Sequence, residues 1–482
     1  MTLGRGTLPA VTHPPGQSPP PGSDSFDAPE LARLSGGHLV HDAGRPIRGA
    51  AVDSRRVVAG NLFVALPGER TDGHEHLAEA VANGAAAVLV GRPGLPAEAL
   101  GGVSVIRVTR PVEALGAIAA GWRSRFDPIT VGITGSIAKT STKEAIAQVL
   151  AVRFKTLRSE GNENNEIGLP LTVLRLDRSD EALVLEMGMY VGGEIADLAR
   201  IGRPLIGVVT AVQAVHLARI GTIEAIERAK AELVEALPAG GTAILNADDE
   251  RVAAMAGRTA ARVLTYGFDP DADVTAENIE SVAADGMRFV LQTAAGRRPI
   301  ALPSLGRHAV HNALAAAAVG SAAGLSLDEI AQGLAVRPPA THRGELIRLG
   351  EVTILDDTYN AAPASMRAAL AVLASLPGRH VAVLGEMREL GSGHDAGHLE
   401  VGKAAAGVAE LLIVVGHDAA PLARAARAAG MAASRVIEVA DREAALEALR
   451  PRLAPGDVVL VKASRGLGLD RLVADLEAEL GR

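Results

Sequence analysis

The chain has 482 residues, which is enough for two to four domains at about 100–200 residues each. Its net charge of −8 and its scattered arginines argue against a nucleic-acid binder, and the absence of cysteine excludes disulfides, thiolate metal sites and a cysteine nucleophile. No apolar run reaches the roughly 18 residues of a membrane-spanning helix, so we expect a soluble, cytoplasmic protein.

The N-terminal segment, residues 1–25, holds six prolines and lacks the apolar stretch of a secretory signal. This composition predicts a disordered tail. Residues 26–110 are then predicted to form a small α/β domain. Its predicted elements are short strands within 39–52 and 60–66, a helix that runs into a strand over 78–90, and a strand at 103–108.

Residues 111–336 are predicted to form a central domain that begins with a helix at 111–126. Apolar strands then alternate with amphipathic helices, a pattern typical of a parallel sheet with helices on its faces. The predicted strands are 129–134, 183–187, 205–210, 242–245 and 263–266, the helices are 139–152, 223–237 and 311–323, and an antiparallel hairpin is predicted at 287–292 and 298–302.

A third section begins near Pro338 and Pro339, and residues 337–482 are predicted to form a second, smaller α/β sheet with a Rossmann-like pattern. Its predicted strands are 352–355, 380–384, 412–415 and 457–461. The predicted fold class is therefore α/β with three domains: a small N-terminal α/β domain, a central phosphate-loop domain with a parallel sheet, and a C-terminal Rossmann-like domain.

The segment 132–141 has the order strand, loop and helix that is typical of a phosphate-binding loop. The loop begins at Gly135 and the helix opens at Lys139, so backbone N–H groups and an ammonium group are available to hold a nucleotide's phosphates. A hydroxyl at Thr140 or Ser141 would help to hold Mg²⁺. The segment therefore predicts an ATP site.

The spacing of this loop differs from the common form, because only three residues separate Gly135 from Lys139 and Ala138 stands where a glycine is expected. A generic turn between a strand and a helix is the alternative interpretation. A positive φ at Ala138 would be costly, since an alanine carries a Cβ that glycine lacks.

Two side chains that follow other strands of the predicted central sheet are candidate Mg²⁺ ligands. Glu186 ends one strand, and a carboxylate at that end of a parallel strand points into the crevice where α/β proteins bind ligands. His216 lies just beyond the next strand. The alternatives are that Glu186 is a solvated acid at a strand end and that His216 is a structural histidine. Lys230 lies on an amphipathic helix, and the pattern alone predicts an ordinary surface lysine.

Two polar positions near the third section are candidates for nucleotide contacts. Asn312 lies near the start of an alanine-rich helix, where its amide suits an adenine edge and a helix cap is the alternative. Asp357 is the second of two acids that end an apolar strand. At a domain interface it would face a ribose, a metal or a phosphate, and an Asx turn is the alternative.

Taken together and in this order, the motifs resemble the Mur ligase family from about Ala50 to the C-terminus. The segments that carry the resemblance, besides those above, are 53–55, 60–65, 68–74, 161–168, 357–360, 384–390 and 462–465. Within the family, segments 357–360 and 384–390 favour the member that acts on D-alanyl-D-alanine. The Asp-Asn-Pro-Arg motif of the ligase that forms the tripeptide is not present.

The resemblance implies an ATP- and Mg²⁺-dependent ligase of peptidoglycan precursor synthesis. Its implied reaction joins D-alanyl-D-alanine to UDP-N-acetylmuramoyl-tripeptide through an acyl phosphate, with closure of the last domain on ATP. It also implies a monomer that needs no nucleic acid. Whether the third residue of the tripeptide is meso-diaminopimelate or lysine is left open.

The resemblance also implies a role for each matched residue. Catalysis is implied for Lys139, Glu186, His216 and Lys230, and metal binding for Thr140, Glu186, His216 and a carbamylated Lys230. Nucleotide binding is implied for Gly135, Ser136, Lys139, Thr140, Ser141, Asn312, Arg343 and Asp357. Substrate binding is implied for Ser54, Arg55, Asn162, Asn164 and Asn165.

Four alanines depart from the family pattern: Ala138, Ala211, Ala362 and Ala463. The first two fall near the predicted ATP and metal site. Two other interpretations therefore stay open. One is another ligase of the same superfamily, such as a folylpolyglutamate-type enzyme, and the other is a catalytically weakened protein that binds a nucleotide or a UDP-sugar.

Overall fold

A computed structural model describes residues 24–68, 71–92, 101–213, 221–337 and 341–481. The predictions for residues 1–23, for His216 and for Pro338 and Pro339 lie outside these ranges. Within them, no helix combines the length and the apolar character that crossing a lipid bilayer requires.

Four sheets account for the strands of the described ranges. The strands are β1 (His38–His41), β2 (Ala50–Ala51), β3 (Leu62–Val64), β4 (Ala87–Val90), β5 (Ser104–Arg107), β6 (Ile129–Thr134), β7 (Thr156–Arg158), β8 (Ala182–Glu186), β9 (Ile206–Val209), β10 (Thr242–Asn246), β11 (Arg262–Tyr266), β12 (Thr275–Ser281), β13 (Met287–Thr293), β14 (Gly296–Leu302), β15 (Glu345–Leu349), β16 (Val352–Asp356), β17 (Arg379–Gly385), β18 (Leu411–Val415), β19 (Val436–Val439) and β20 (Asp457–Lys462).

Helices cover the faces of these sheets and connect the strands. The described α-helices are Ala28–Ser35, Leu77–Ala82, Pro111–Arg123, Lys139–Ala151, Gly168–Val173, Glu194–Gly202, Ile223–Glu235, Glu250–Ala253, Arg307–Ala322, Leu327–Leu334, Pro363–Ser375, His394–Ala406, Ala420–Ala428, Arg442–Leu449 and Leu469–Leu480.

The N-terminal sheet has the strand order β1-β5-β4-β3-β2. Strands β2 to β5 are parallel, and β1 pairs antiparallel with β5 at one edge. Strand β4 reads Ala-Val-Leu-Val and is buried throughout, as expected of an inner parallel strand that is covered on both faces. The predicted small α/β domain is therefore present, while its proposed limits of 26–110 stay a prediction, as do those at 111–336 and 337–482.

The central sheet has the order β11-β10-β9-β6-β8-β7, and all of its pairings are parallel. Strand β6 lies between β8 and β9, which follow it in the chain and flank it on opposite sides. In such open sheets, ligands bind beyond the carboxyl ends of the strands at the point where the strand order reverses. The loops that follow β6, β8 and β9 meet at this point.

The predicted antiparallel hairpin is confirmed as β13 and β14, with a third strand, β12, added beside it. The sequence did not predict β12, because its residues, Thr-Ala-Glu-Asn-Ile-Glu-Ser, are mostly polar and exposed. A strand at the edge of a sheet needs no continuous apolar side, so its sequence carries a weak signal.

The C-terminal sheet has the order β15-β16-β20-β17-β18-β19, in which β15 alone pairs antiparallel. The prediction of a smaller sheet was wrong, because this sheet has six strands, as many as the central sheet. The two unpredicted strands, β15 and β19, are edge strands that are partly exposed. Strands β16, β20 and β17 are neighbours, so the loops that follow them lie side by side.

Candidate active site

The phosphate loop joins β6 to the helix Lys139–Ala151, which begins at the residue that the sequence predicted. Ala138 precedes this helix with φ 66°, the left-handed conformation that is costly for alanine. Gly135 has φ 152°, and a Cβ on it would lie 1.8 Å from Thr210 Oγ1. The loop therefore requires glycine at 135 and holds a strained alanine at 138.

Residues after β9 support this loop from the side. The Thr210 hydroxyl donates to the carbonyl of Ile137 at 2.7 Å, and the Ser136 N–H donates to the carbonyl of Ala211 at 2.8 Å. Ala211 thus acts on the loop through its backbone, which any residue at that position would supply. The alanine in place of the family's asparagine leaves this support intact.

A chain of side-chain hydrogen bonds crosses the site from Arg343, just before β15, to the asparagine-rich loop at residues 161–168. Arg343 Nη2 donates to Thr140 Oγ1 at 3.1 Å, and Thr140 Oγ1 donates to Glu186 Oε2 at 2.8 Å. Asn164 Nδ2 donates to the other carboxylate oxygen, Oε1, at 2.8 Å. Glu186 is only 2% exposed, so the alternative of a solvated strand-end acid is wrong.

Lys139 points back onto its own loop, where Nζ donates to the carbonyl of Gly135 at 2.7 Å. Burial lowers the pKa of Lys139, the Glu186 carboxylate acts to raise it, and the positive charge of Arg343 lowers it further. The site thus brings a lysine, an arginine and a glutamate together at the carboxyl edge of the central sheet.

Lys230 lies on the helix Ile223–Glu235 and is 4% exposed, so the interpretation as a surface lysine is wrong. Burial holds its pKa well below the ordinary value of 10.5, and the nearby positive charge of Lys139 lowers the pKa further. Among the described residues, no carboxylate forms an ion pair with its ammonium group. Such a lysine has an unusually large neutral fraction.

Lys143 is a buried residue of the site that the sequence did not predict. Its Nζ donates to the carbonyls of Ser159 at 2.7 Å and Gly161 at 3.2 Å, and lies 3.1 Å from the Glu144 carboxylate. It therefore ties the helix of the phosphate loop to the asparagine-rich loop. The available signal was its spacing, since residues four apart share a helix face and Lys143 follows Lys139 by four.

On the C-terminal side, Asp357 is paired with a buried lysine. Asp357 Oδ2 lies 2.6 Å from Nζ of Lys462, which is 2% exposed and also donates to the carbonyl of Asn360 at 2.8 Å. Asp357 lines both cavities described below, at the end of β16. Its carboxylate is thus held at the cavity wall by a fixed counter-ion.

The Asx turn that was the alternative for Asp357 belongs to its neighbour, Asp356. The Asp356 Oδ1 atom accepts hydrogen bonds from the N–H and the hydroxyl of Thr358 at 3.0 and 2.7 Å. Its Oδ2 atom lies 2.6 Å from Nδ1 of His342. Asp356 therefore shapes the turn, and Asp357 faces the cavity.

Arg343 reaches the phosphate loop along an aromatic ring. Its guanidinium carbon lies 3.8 Å from the ring centroid of Tyr359, and that of Arg465 lies 5.3 Å from the same centroid. A guanidinium over an aromatic face is favoured electrostatically. Tyr359 therefore holds Arg343 in the extended position from which it bonds Thr140.

Asn312 lies inside the helix Arg307–Ala322, so the helix-cap interpretation is wrong. Its Oδ1 atom accepts a hydrogen bond from Thr142 Oγ1 at 3.2 Å. The amide is buried beside the phosphate-loop helix and lines both cavities.

Two adjoining cavities lie between the central and the C-terminal sheets, with volumes of about 340 and 610 Å³. Both are lined by Ser141, His308, Asn312, Arg343, Gly344, Asp357 and Ala369. The smaller has apolar walls that include Ala145, Leu302, Leu305, Leu355 and Val372. The larger contains the phosphate loop with Glu186, Asn162 and Asn164 on one side and the loops after β16, β17 and β20 on the other.

The remaining substrate candidates fall outside these cavities. Asn165 accepts hydrogen bonds from the N–H groups of Ile167 and Gly168 at 3.3 and 2.9 Å, and so binds the backbone where the helix Gly168–Val173 begins. In the N-terminal sheet, the Ser54 hydroxyl donates to Glu79 Oε2 at 2.5 Å. Arg55 is exposed, and its Nη2 atom pairs with Asp53 at 2.6 Å; this guanidinium lowers the pKa of Asp53 to about 2.

A predicted metal set is only partly within the described ranges. Glu186 and Thr140 present adjacent oxygens, and Lys230 lies near Lys139, whereas His216 lies outside the described residues. In the ranges that the structure describes, no three His, Cys, Asp or Glu residues gather into a metal-binding group. Carboxylate and hydroxyl oxygens are the donors that Mg²⁺ prefers.

Three family models match the chain. They are the Mur ligase family catalytic domain at residues 46–123, the Mur ligase middle domain at 133–320 and the Mur ligase glutamate ligase domain at 342–465. These matches cover more than half of the chain and include the phosphate loop, the hydrogen-bond chain through Glu186, and the C-terminal loops that face them.

Curated relatives are similar over nearly the whole chain. A Mycobacterium tuberculosis protein named UDP-N-acetylmuramoyl-tripeptide–D-alanyl-D-alanine ligase is 42% identical over 88% of this chain and 91% of its own length. An Escherichia coli protein of the same name is 38% identical over 92% of this chain and 95% of its own.

Two solved MurF structures are also similar over nearly the whole chain. The MurF structure from Acinetobacter baumannii has a TM-score of 0.84 and 31% identity, and covers 94% of this chain and 99% of that one. The MurF ligase from Thermotoga maritima in complex with ADP has a TM-score of 0.79 and 28% identity, over 90% and 98%. A folylpolyglutamate synthase from Mycobacterium tuberculosis shares the fold at 19% identity and a TM-score of 0.61.

Proposed function

The chain belongs to the Mur ligase family, and we propose from this membership that it joins D-alanyl-D-alanine to UDP-N-acetylmuramoyl-tripeptide with ATP as the energy source. The observation that carries the proposal is the 42% identity, over 88% of the chain, to a mycobacterial ligase named for this reaction. The folylpolyglutamate-type alternative rests on 19% identity, which supports a shared fold alone.

The reaction proceeds in two steps. A carboxylate oxygen of the tripeptide attacks the γ-phosphorus of ATP, the bond to the bridging oxygen breaks, and ADP leaves an acyl phosphate behind. The amine of the dipeptide then attacks the acyl carbon, the amide C–N bond forms, and phosphate departs with the electrons of the C–O bond while the amine loses a proton. The protein contributes positioning and charge stabilisation.

The residues that line the two cavities suit both positioning and charge stabilisation. Lys139 and Arg343 are the cations at the phosphate loop, where negative charge increases as the γ-phosphoryl group transfers. The smaller, mostly apolar cavity fits an adenine beside Asn312, and Asp357 fits the ribose. We further propose that Asn162 and Asn164 contact the tripeptide and that Ser54 and Arg55 contact the UDP-sugar.

The donor set at the phosphate loop fits Mg²⁺. We propose Thr140, Glu186, His216 and Lys230 as the residues that hold it, with Lys230 as a carbamate, because an ammonium group has no lone pair for a metal. The lowered pKa of Lys230 favours the neutral amine that reacts with carbon dioxide. Bound Mg²⁺ would neutralise charge on the transferring phosphoryl group.

The assay for this function measures phosphate release with purified protein, Mg²⁺ and ATP. We expect release only when both the UDP-linked tripeptide and D-alanyl-D-alanine are present, and parallel reactions with the diaminopimelate and lysine forms will identify the third residue. Phosphate release that ignores the dipeptide would overturn the ligase assignment.

We also propose that the enzyme acts as a monomer in the cytoplasm. Light scattering of the purified protein at assay concentration checks the first point, and a dimer that is required for activity would contradict it.

A further inference from the structure

The larger cavity is lined by five lysine and arginine side chains: Lys139, Arg343, Arg388, Lys462 and Arg465. The first two lie at the phosphate loop, and Lys462 is paired with the Asp357 carboxylate. The nucleotide and phosphate assignment therefore uses the first two cations, and Lys462 is used by its pair with Asp357. Arg388 and Arg465, on the loops after β17 and β20, have no role in that assignment.

These two arginines lie on neighbouring loops that are bonded to each other. Arg388 follows β17 and Arg465 follows β20, and these strands pair in parallel. The Ser464 N–H donates to the carbonyl of Glu386 at 3.0 Å, and the Arg388 N–H donates to the Ser464 hydroxyl at 2.8 Å. The bonds fix the two loops, and with them the two arginines, relative to one another.

Each guanidinium is also oriented. Arg388 Nε bonds Glu386 at 2.9 Å, which uses one of its five N–H donors. Its Nη1 atom packs against Gly466 so closely that a Cβ at 466 would lie 2.3 Å away. The Arg465 guanidinium faces the Tyr359 ring, and in the described part of the chain it has no carboxylate partner.

The wall beside these arginines consists mostly of small apolar groups. The larger cavity is lined there by Ala361, Ala362, Ala364 and Ala368, together with Ser365, Glu389 and Leu390. Short side chains leave room for a small ligand with methyl groups. D-Alanyl-D-alanine has two methyl groups and one carboxylate, and extended over two residues it spans at most about 7 Å.

We propose that Arg388 and Arg465 bind the carboxylate of the incoming D-alanyl-D-alanine, with its methyl groups against the alanine wall. This assignment rests on the proposed function. A carboxylate held at the loops after β17 and β20 leaves the dipeptide's amine directed away from them, across the cavity that the phosphate loop shares. Guanidinium groups suit this role because they bind carboxylates through paired hydrogen bonds.

The test compares D-alanyl-D-alanine with D-alanyl-D-alaninamide, which lacks the negative charge. For the wild type we expect kcat/KM to favour the acid on the order of 10- to 100-fold, the range for hydrogen bonds to a charged group. Arg388→Gln and Arg465→Gln should each raise KM for the acid and reduce this preference. KM for ATP and for the tripeptide should stay within about twofold.

Two further variants separate a binding role from a loss of structure. Arg367→Gln is the matched control, because Arg367 lies on the helix Pro363–Ser375 of the same domain and pairs with Glu400 at 3.0 Å, outside both cavities. It should keep the wild-type preference. Gly466→Ala leaves both arginines in the chain but displaces Arg388, and should also reduce the preference.

Two results would overturn the assignment, and they differ from failure of the proposed function. The subsite is wrong if the arginine variants keep the wild-type preference for the acid. It is also wrong if they lower activity toward acid and amide equally. Phosphate release by the wild type without either dipeptide would instead refute the ligase function itself, and the subsite with it.

Discussion

Two regions that border the phosphate loop each bury a lysine, in opposite surroundings. Lys143 lies among acceptors, with two backbone carbonyls and a carboxylate within 3.2 Å. Burial strongly lowers the pKa of Lys230, and the positive charge of Lys139 lowers it further. The same side chain is therefore a structural tie in one region and a destabilised amine in the other.

The difference distinguishes supporting structure from reactive sites. A buried lysine with satisfied hydrogen bonds stabilises the fold, whereas a buried lysine without a counter-ion is unfavourable in its charged form. Groups that are unfavourable for stability gather at functional sites, where their altered chemistry is used. Ala138, with its left-handed backbone, belongs to the reactive region in the same sense. Three substitutions test this contrast.

The largest effect is expected for Lys143→Met. It leaves the Ser159 and Gly161 carbonyls and the Glu144 carboxylate without their shared donor, so the free energy of unfolding should fall by about 3–5 kcal/mol. Urea denaturation followed by circular dichroism measures it. The exposed Lys403→Met should change stability by less than about 0.5 kcal/mol; equal effects would refute the contrast.

For Lys230→Met, the free energy of unfolding is expected to change in the opposite direction. In buffer free of carbon dioxide, where Lys230 is an uncarbamylated amine, replacing this buried group without a described counter-ion should raise the free energy of unfolding by about 1–3 kcal/mol. Dipeptide-dependent phosphate release should nevertheless be lost. A variant that is both less stable and inactive would show that Lys230 is a structural residue like Lys143.

The stability difference between Lys230→Met and the wild type should also depend on pH. Because the folded pKa of Lys230 lies below its unfolded value of 10.5, the unfolded chain binds the extra proton between these two values. Wild-type stability therefore rises with pH across that window, and the variant's advantage shrinks. Denaturation curves at several pH values in this window, in buffer free of carbon dioxide, provide the measurement.

The smallest effect is expected for Ala138→Gly. Glycine removes the energetic cost of the left-handed φ of 66°, but it also raises the conformational entropy of the unfolded chain. The free energy of unfolding should therefore rise by at most about 1 kcal/mol. Ala474→Gly, at an exposed position in the helix Leu469–Leu480, should instead destabilise by about 1 kcal/mol.

Calorimetry of Mg-ATP binding adds a functional measurement to the same position. Combined with Ala211→Asn, Ala138→Gly also tests the interpretation of a weakened enzyme. Unchanged affinity would mean that the alanines are tolerated, as the backbone support from Ala211 indicates. A large gain in affinity would favour the weakened protein.

The parts of the fold that the sequence predicted well are those whose signals are local. Strand β6, the phosphate loop and the start of its helix at Lys139 follow one another without interruption, so each confirms the next. Edge strands such as β12 and β19 were missed because partial exposure removes the apolar pattern.

The candidate site was harder to predict where partners are distant in sequence. Nothing near Lys143 reveals the carbonyls that it reaches, and nothing near Asn312 reveals Thr142, 170 residues away. Of the two successive acids at the end of β16, Asp356 and Asp357, the sequence could not tell which one would face the cavity. Neighbouring side chains on a strand point to opposite sides, and only the packed sheet decides between them.

One hydrogen bond described above, from Arg343 to Thr140, joins residues that are 203 positions apart. It links the position of the C-terminal sheet to the geometry of the phosphate loop. Linkage of this kind is reciprocal: if bound nucleotide favours closure by some factor, closure favours nucleotide by the same factor. A ligand that only bridges the two sheets, without touching the phosphates, would thereby tighten the hold on ATP.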